Sequence, residues 1–133
     1  MNEPGSPLMT GLGLQEIASM DSSGRAELRF EVQPQHCHAV AQGGYVTAWI
    51  DAAMARSVSA ATEGQLGCNT LEIKLAFYQP VQKDQVVTAA GWVVGMGRST
   101  AFLEGELRND VGEVLAKGTS TAKLGKFRGN DLS

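Results

Sequence analysis

Residues His36 to Ala55 read HCHAVAQGGYVTAWIDAAMA, and the second half of this stretch decides the fold. Apolar side chains recur there at the spacing that places them on one face of an α-helix. They are Val46, Trp49, Ile50, Ala53 and Met54. Alanine, the strongest helix former, is abundant as far as Ala60. The sequence therefore predicts one long buried helix from Tyr45 to about Ala61, with Gly64 as its left-handed cap.

Patterns typical of β-strands surround the predicted helix on both sides. Turn sequences such as Asp21–Gly24 and Asn109–Gly112 separate neighbouring strands. Strands are expected at residues 14–20, 25–32, 70–78, 85–94, 98–109 and 113–123. One apolar helix among so many strands favours an α+β fold, in which an antiparallel sheet wraps around the central helix. We expect the last four strands to form a meander.

The length of 133 residues and the hydrophobic content of 43% fit one globular domain, which we expect at residues 11–126. Residues 1–10 are rich in Pro, Gly and Ser, and they are expected to form a flexible tail. A second tail is expected at residues 127–133, where the sequence is again polar and contains glycine.

The charge balance of 11 basic and 14 acidic residues, net −3, argues against a nucleic-acid-binding protein. The longest uncharged run, Cys37 to Ile50, contains Gln42 and two glycines, so no membrane span is predicted. The N-terminus has an acidic residue and two prolines where an export signal would be basic and apolar. We therefore expect a cytoplasmic protein whose Cys37 and Cys68 are free thiols.

Asp51 is the first candidate for chemistry, because it lies inside the predicted apolar helix. Between residues 39 and 62 the only other charged side chain is Arg56. Burial of a carboxylate is costly without partners. A carboxylate in a pocket of small residues can act as a base or as a nucleophile. The alternative is a solvated helix face or a pairing with Arg56.

Gly43 and Gly44 open the predicted helix, where backbone N–H groups are unpaired and the helix dipole is positive. Such a site could hold a substrate carbonyl as an oxyanion hole does, or the two glycines could simply let the chain turn. Asp51 follows Gly43 by about 12 Å of helix. If both are catalytic, a symmetric dimer that brings two helices together is the natural geometry.

His36, Cys37 and His38 form a pattern that could bind a metal, with Cys68 as a third ligand. The chain has only two His and two Cys and no finger-like spacing, so no metal site is predicted. A nucleophilic role for Cys37 is disfavoured, because neighbouring side chains in an extended segment point apart.

Gly97, Arg98 and Ser99 form a glycine turn with a cation, which could hold a phosphate or could be a simple hairpin turn. The C-terminal part of the chain is locally basic. It is expected to be a solvated edge or to face an anionic ligand, and its basic residues are Lys117, Lys123, Lys126 and Arg128.

Taken together, residues 14–124 resemble the hotdog-fold thioesterases of the phenylacetate-pathway and 4-hydroxybenzoyl-CoA type. That family has a loop reading Asn-x-x-Gly-x-x-His-Gly-Gly, with an acidic residue seven positions after the last Gly. Gly43, Gly44 and Asp51 match this pattern. The later patterns Thr-x-Glu-x-x-x-x-Phe-x-x-Pro and Gly-Arg match Thr70, Glu72, Phe77, Pro80, Gly97 and Arg98.

The resemblance implies a hotdog fold and hydrolysis of an acyl-CoA thioester to free acid and CoA. Asp51 would be the general base or nucleophile, and the Gly43 amide, from the other subunit, would polarise the thioester carbonyl. It implies a homodimer or a dimer of dimers, and coenzyme A enters only as part of the substrate, with no separate cofactor. The residues expected to bind the substrate, Arg98 near the coenzyme A phosphates among them, are Gln42, Gly44, Thr70, Gly97, Arg98 and Ser99.

Three residues depart from the family pattern: His36 replaces Asn, Ala39 replaces Gly, and Gln42 replaces His. His36 could hydrogen-bond a water or the thioester oxygen, which makes it a third catalytic candidate. Two other functions stay open. One is a hydratase or dehydratase of acyl thioesters that uses His36 with Asp51, and the other is a non-catalytic acyl-CoA-binding module.

Overall fold

A computed structural model describes residues 6–126 of the chain. The six predicted strands and the long helix are present, although the third strand begins at Leu66 rather than Thr70. In chain order the elements are α1 (Pro7–Gly11), β1 (Leu14–Asp21), β2 (Arg25–Glu31), a 3₁₀ turn (Pro34–His36), α2 (Gly43–Ala61), β3 (Leu66–Phe77), β4 (Val86–Met96), β5 (Thr100–Arg108) and β6 (Val114–Lys126).

The six strands form one antiparallel sheet in the order β1-β2-β4-β5-β6-β3, and α2 packs across one face. The predicted helical stripe faces the sheet: Trp49, Ile50, Ala53 and Met54 are fully buried, and Val46 is nearly so. The helix approaches β4 very closely. A Cβ at Gly91 would lie 2.5 Å from the Ala53 carbonyl carbon, so only glycine fits there.

The predicted meander of the last four strands is wrong for β3. β4, β5 and β6 are consecutive neighbours, but β3 pairs with β6 at the edge of the sheet, and β4 pairs with β2. The connection at residues 78–85 is long enough to carry the chain across the end of the sheet. Backbone hydrogen bonds hold it there, from Tyr78 N–H to Leu115 O and from Ala41 N–H to Val81 O, each 2.8 Å.

The N-terminal segment differs from the expected loose tail over part of its length. Pro7–Gly11 form the short helix α1, capped by the Ser6 hydroxyl, which accepts a hydrogen bond from Met9 N–H. Met9 is buried in the core, and this burial holds the segment against the domain. Residues 1–5 and the predicted tail at 127–133 lie outside the described residues, so the division at residues 10 and 126 stays a prediction.

No helix in the described part of the chain has both the length and the hydropathy needed to cross a membrane.

Candidate active site

The start of α2 presents one backbone N–H that is not used by the fold. Gln42 is the N-cap, and its side-chain Oε1 accepts a hydrogen bond from Gly44 N–H at 2.7 Å. The Gln42 carbonyl accepts from Tyr45 N–H at 2.9 Å. Among residues 6–126, no acceptor pairs with Gly43 N–H. This amide, at the positive end of the helix dipole, is the donor available to a bound carbonyl.

The two glycines are needed for different steric reasons. A Cβ at Gly44 would lie 2.6 Å from Gln42 Oε1, so a side chain there would displace the cap. A Cβ at Gly43 would lie 3.4 Å from Phe77 Cζ, because the aromatic ring at the end of β3 lies beside the helix start. The helix begins at Gly43, two residues earlier than the sequence predicts, because the Gln42 side chain caps its first turn.

Asp51 lies on α2 facing β3, where its carboxylate is half-buried. Thr70 donates its hydroxyl to Asp51 Oδ1 at 2.9 Å, and its expected role in binding substrate stays a prediction. Burial raises the pKa of Asp51, and the hydrogen bond from Thr70 partly offsets that rise. The structure thus brings together Asp51 and Thr70 and keeps the carboxylate in surroundings that solvate it poorly.

Cys68, predicted from the sequence to be a free thiol, is free in the structure and lies close enough to Asp51 to feel its charge. Burial, and then the negative charge of Asp51, raise the pKa of the Cys68 thiol to about 11. The thiol is therefore neutral at physiological pH and is a poor nucleophile. The signal that could have revealed this proximity is the two-residue step from Cys68 to Thr70, which puts both side chains on one face of a strand.

His36 does not fit the catalytic role that the sequence suggested. Its side chain is completely buried, and both ring nitrogens bond to the backbone. Nδ1 accepts from Gln33 N–H at 2.9 Å, and Nε2 lies 2.8 Å from Gly11 O, to which it donates in the matching tautomer. The ring also packs against Tyr45 and Trp49. His36 therefore ties the loop before α2 to the N-terminal segment and offers no nitrogen to a substrate.

The remaining predicted site residues lie in two separate places. Gln42, Gly43 and Gly44 are together at the helix start, near the end of β3. The turn of Gly97, Arg98 and Ser99 lies at the other end of the sheet, where Ser99 O accepts from Leu124 N–H at 2.9 Å. In the described part of the chain, no group of three or more His, Cys, Asp or Glu side chains is placed to hold a metal.

A family model described as the thioesterase superfamily matches residues 38–116. The chain belongs to the thioesterase superfamily. The matched segment runs from the loop before α2 to the beginning of β6, so it includes both Gly43 and Asp51. Among curated proteins, none matches the chain significantly.

Several solved structures align with most of the chain. A mutant of the phenylacetic acid degradation protein PaaI from Thermus thermophilus is 26% identical, with 89% of this chain and 98% of that chain covered and a TM-score of 0.77. A hypothetical thioesterase protein with coenzyme A from Streptococcus pneumoniae is 24% identical, with 85% and 90% covered and a TM-score of 0.77.

A third structure, a Streptococcus mutans protein bound to acetyl CoA, is 21% identical, with 85% of this chain and 90% of that chain covered and a TM-score of 0.75. These similarities, together with the family match, confirm the hotdog fold expected from the sequence.

Proposed function

We propose that this protein hydrolyses an acyl-CoA thioester to the free acid and CoA. The observation that carries the proposal is the arrangement on α2. An unpaired amide at Gly43 begins the helix, and a half-buried carboxylate at Asp51, bonded to Thr70, follows on the same helix. Two related structures that contain coenzyme A or acetyl CoA support this class of ligand.

The chemistry needs one group that activates the attacking oxygen and one that stabilises the carbonyl oxygen. As a general base, Asp51 removes a proton from water while the water oxygen bonds to the thioester carbon. The Gly43 N–H stabilises the negative charge that develops on the carbonyl oxygen. The C–S bond then breaks, and the departing thiolate takes the proton back from Asp51. As a nucleophile, Asp51 would instead attack the thioester carbon and expel the CoA thiolate as the C–S bond breaks, which leaves a mixed anhydride on Asp51. Water then hydrolyses the anhydride to the free acid and the Asp51 carboxylate, and the released proton leaves with the CoA thiol.

We propose that the two groups act on one substrate across a homodimer. Gly43 and Asp51 of one chain are separated by about 12 Å of helix, which is too far for both to contact one thioester. β3 is an edge strand of the sheet, so a second copy could pair there and place its own Gly43 near Asp51. Association of such dimers into a tetramer, the cytoplasmic location and the lack of a separate cofactor stay predictions.

The phosphate-binding role of Gly97, Arg98 and Ser99 also stays a prediction. The turn lies at the same end of the sheet as Asp51. Thr100, next to the turn, pairs with Lys123, and Lys123 pairs with Asn69, the neighbour of the Thr70 that bonds to Asp51. The exposed cation of Arg98 is then available to the anionic end of a substrate whose thioester reaches Asp51.

The hydratase alternative is disfavoured by the placement of His36. That reaction was expected to use His36 with Asp51, but both His36 nitrogens bond to the backbone and the ring is buried. A module that binds acyl-CoA without turnover would use the same site, so a measurement of turnover is needed to distinguish it from a hydrolase.

The proposal predicts that Asp51→Asn lowers thiol release from acyl-CoA by about 100- to 10,000-fold, the usual contribution of a general base. Release would be followed with a thiol reagent on phenylacetyl-, benzoyl-, short-chain and medium-chain acyl-CoA. An enzyme-only blank corrects for reaction of Cys37 and Cys68. Asp110→Asn, which removes the same charge at an exposed turn, is the matched control and should keep full activity.

A control must show that the Asp51→Asn variant is folded, so that its loss of activity is not due to unfolding. Because burial raises the folded-state pKa of Asp51, the protonated form favours the fold, and this stabilisation is lost as the pH rises through that pKa. At neutral pH the uncharged Asn should therefore melt no lower than the wild type. Equal turnover by the wild type and a folded Asp51→Asn variant would exclude Asp51 from the mechanism. Saturable CoA binding without any turnover would support the binding module.

A further inference from the structure

A groove of about 370 Å³ opens beside the start of α2. Val46 and Val81, both buried, line its inner part, and Phe77 and Tyr78 line its outer part. None of its lining residues, all from the described part of the chain, carries a charge. Most of the lining side chains are aliphatic or aromatic, so the groove is a mainly apolar surface, and Gly43 with its unpaired amide is among its lining residues.

The two aromatic residues of the groove are unusually exposed. Phe77 and Tyr78 are 55% and 56% exposed, and they are adjacent at the point where β3 ends. Phe77 Cζ lies 3.4 Å from the position that a Cβ on Gly43 would occupy. Neighbouring exposed aromatic side chains next to an apolar groove indicate a surface that is covered in the functional state.

We infer that this groove holds the acyl group of the substrate, and that the substrate class is thioesters of neutral, apolar acyl groups. The inference rests on the proposed function, because the Gly43 amide then fixes the thioester oxygen at the edge of the groove. Only two parts of the substrate adjoin that oxygen, the acyl group and the sulfur arm.

The size and polarity of the groove indicate that it holds the acyl group rather than the sulfur arm of the substrate. Its volume is at the low end of the range for small-molecule sites, roughly 300 to 1,000 Å³, and is too small to enclose coenzyme A. The pantetheine arm contains two amides that need hydrogen-bond partners, whereas the side chains here are mainly aliphatic and aromatic. An apolar acyl group needs no such partners. A carboxylate-ended acyl group would lose its hydration without gaining a cation.

Binding tests the assignment without depending on turnover. Hexanoyl-CoA and free CoA would be titrated calorimetrically into Asp51→Asn and into Asp51→Asn with Phe77→Ala. The second variant should bind hexanoyl-CoA about tenfold more weakly and free CoA equally well, because it removes apolar contact from the acyl group alone. Phe102→Ala is the matched control, since Phe102 is 53% exposed on the opposite face of the sheet. It should change neither affinity.

A gain of specificity provides the second test. The wild type should have a kcat/KM for hexanoyl-CoA at least about 100-fold above that for succinyl-CoA. Tyr78→Lys places a cation at the exposed edge of the groove. It should raise the ratio for succinyl-CoA over hexanoyl-CoA about tenfold, through pairing with the succinyl carboxylate. Phe102→Lys, with the same charge change elsewhere, should leave the ratio unchanged.

The possible failures are distinct. If no thioester is hydrolysed but Phe77→Ala weakens hexanoyl-CoA alone, the proposed function fails and the groove assignment holds. If thioesters are hydrolysed but Phe77→Ala weakens CoA and hexanoyl-CoA equally, the groove holds the CoA arm and the inference is overturned. Succinyl-CoA turnover equal to that of hexanoyl-CoA would overturn the substrate class.

Discussion

At the scale of single residues, the chemistry of the site depends on how Asp51 is solvated. Burial of the carboxylate on α2 raises its pKa, and the hydroxyl of Thr70, 2.9 Å away, favours the charged form and limits this rise. A base or nucleophile must be deprotonated, so the acidic limb of the pH–rate profile should report the balance between these two effects.

Replacement of Thr70 by Val should move that limb to higher pH. Loss of the hydrogen bond leaves desolvation unopposed, so the pKa of Asp51 rises and a higher pH is needed to ionise it. The kcat/KM of Thr70→Val and the wild type would be measured from pH 4 to 9 on one thioester. We expect a severalfold loss on the acid side and a smaller loss well above the pKa.

Thr121→Val is the matched control for this profile, because the Thr121 hydroxyl also bonds a carboxylate, that of Glu72, but on the exposed face of the sheet. Its profile should match that of the wild type. A Thr70→Val profile that is lower at every pH without any shift would contradict a role for Thr70 in tuning Asp51.

At the scale of elements, the start of α2 combines a side-chain cap with one open amide. Gln42 is extended, with φ −69° and ψ 141°, a conformation that also suits the residue before a proline. Gly43 occupies the first helical position, where proline is well tolerated. A proline at Gly43 can therefore remove the amide hydrogen while the helix is retained.

Gly43→Pro should lower kcat about 100- to 1,000-fold relative to Gly43→Ala, which is the typical effect of removing one oxyanion donor. The alanine variant is the steric control, because it keeps the N–H and adds the Cβ contact with Phe77. Both variants should show wild-type circular dichroism. Equal activity of the two variants would mean that the Gly43 amide does not stabilise the transition state.

The elements themselves were largely predictable from the sequence, and their pairing was not. The stripe on α2 and the alternation of Ala26, Leu28 and Phe30 follow from residue type and periodicity, and all three strand residues are fully buried as expected. The position of β3 depends on pairing with β6, which follows it by tens of residues. The alternation of apolar and polar residues shows which side of a strand is buried, but it does not show which other strand pairs with it.

At the scale of the whole molecule, the proposed site requires two chains. If Gly43 of one chain acts with Asp51 of the other, the Asp51→Asn variant keeps an intact Gly43 and the Gly43→Pro variant keeps an intact Asp51. Co-expression of Asp51→Asn with Gly43→Pro then forms mixed dimers in which one of the two sites is intact.

Random pairing makes about half of the dimers mixed, and each mixed dimer has one intact site out of two. Activity should therefore recover to about a quarter of the wild type. Differently tagged chains allow the mixed dimer to be purified and its thiol release to be measured. Each variant expressed alone is the control and should stay inactive. A mixed dimer that is as inactive as its parents would show that the site does not combine these residues from two chains.

Local features of the chain could be predicted from the sequence because they depend on neighbouring residues. The buried helix, the strands, the helix-start glycines and the isolated carboxylate Asp51 are all such features. The role of His36 could not be predicted, because one of its partners, the Gly11 carbonyl, is distant in sequence. A loop histidine offers the same pattern whether its nitrogens bond to the backbone or to a substrate.

Residue type and periodicity are sufficient to predict a helix on an antiparallel sheet and to identify the residues at the start and middle of that helix. Tertiary packing, in contrast, places β3 at the edge of the sheet, buries His36 away from the site and brings Thr70 to Asp51. The physical reason is the same in each case. Periodicity and propensity act over a few residues, whereas these hydrogen bonds join segments that meet only when the sheet closes around the helix.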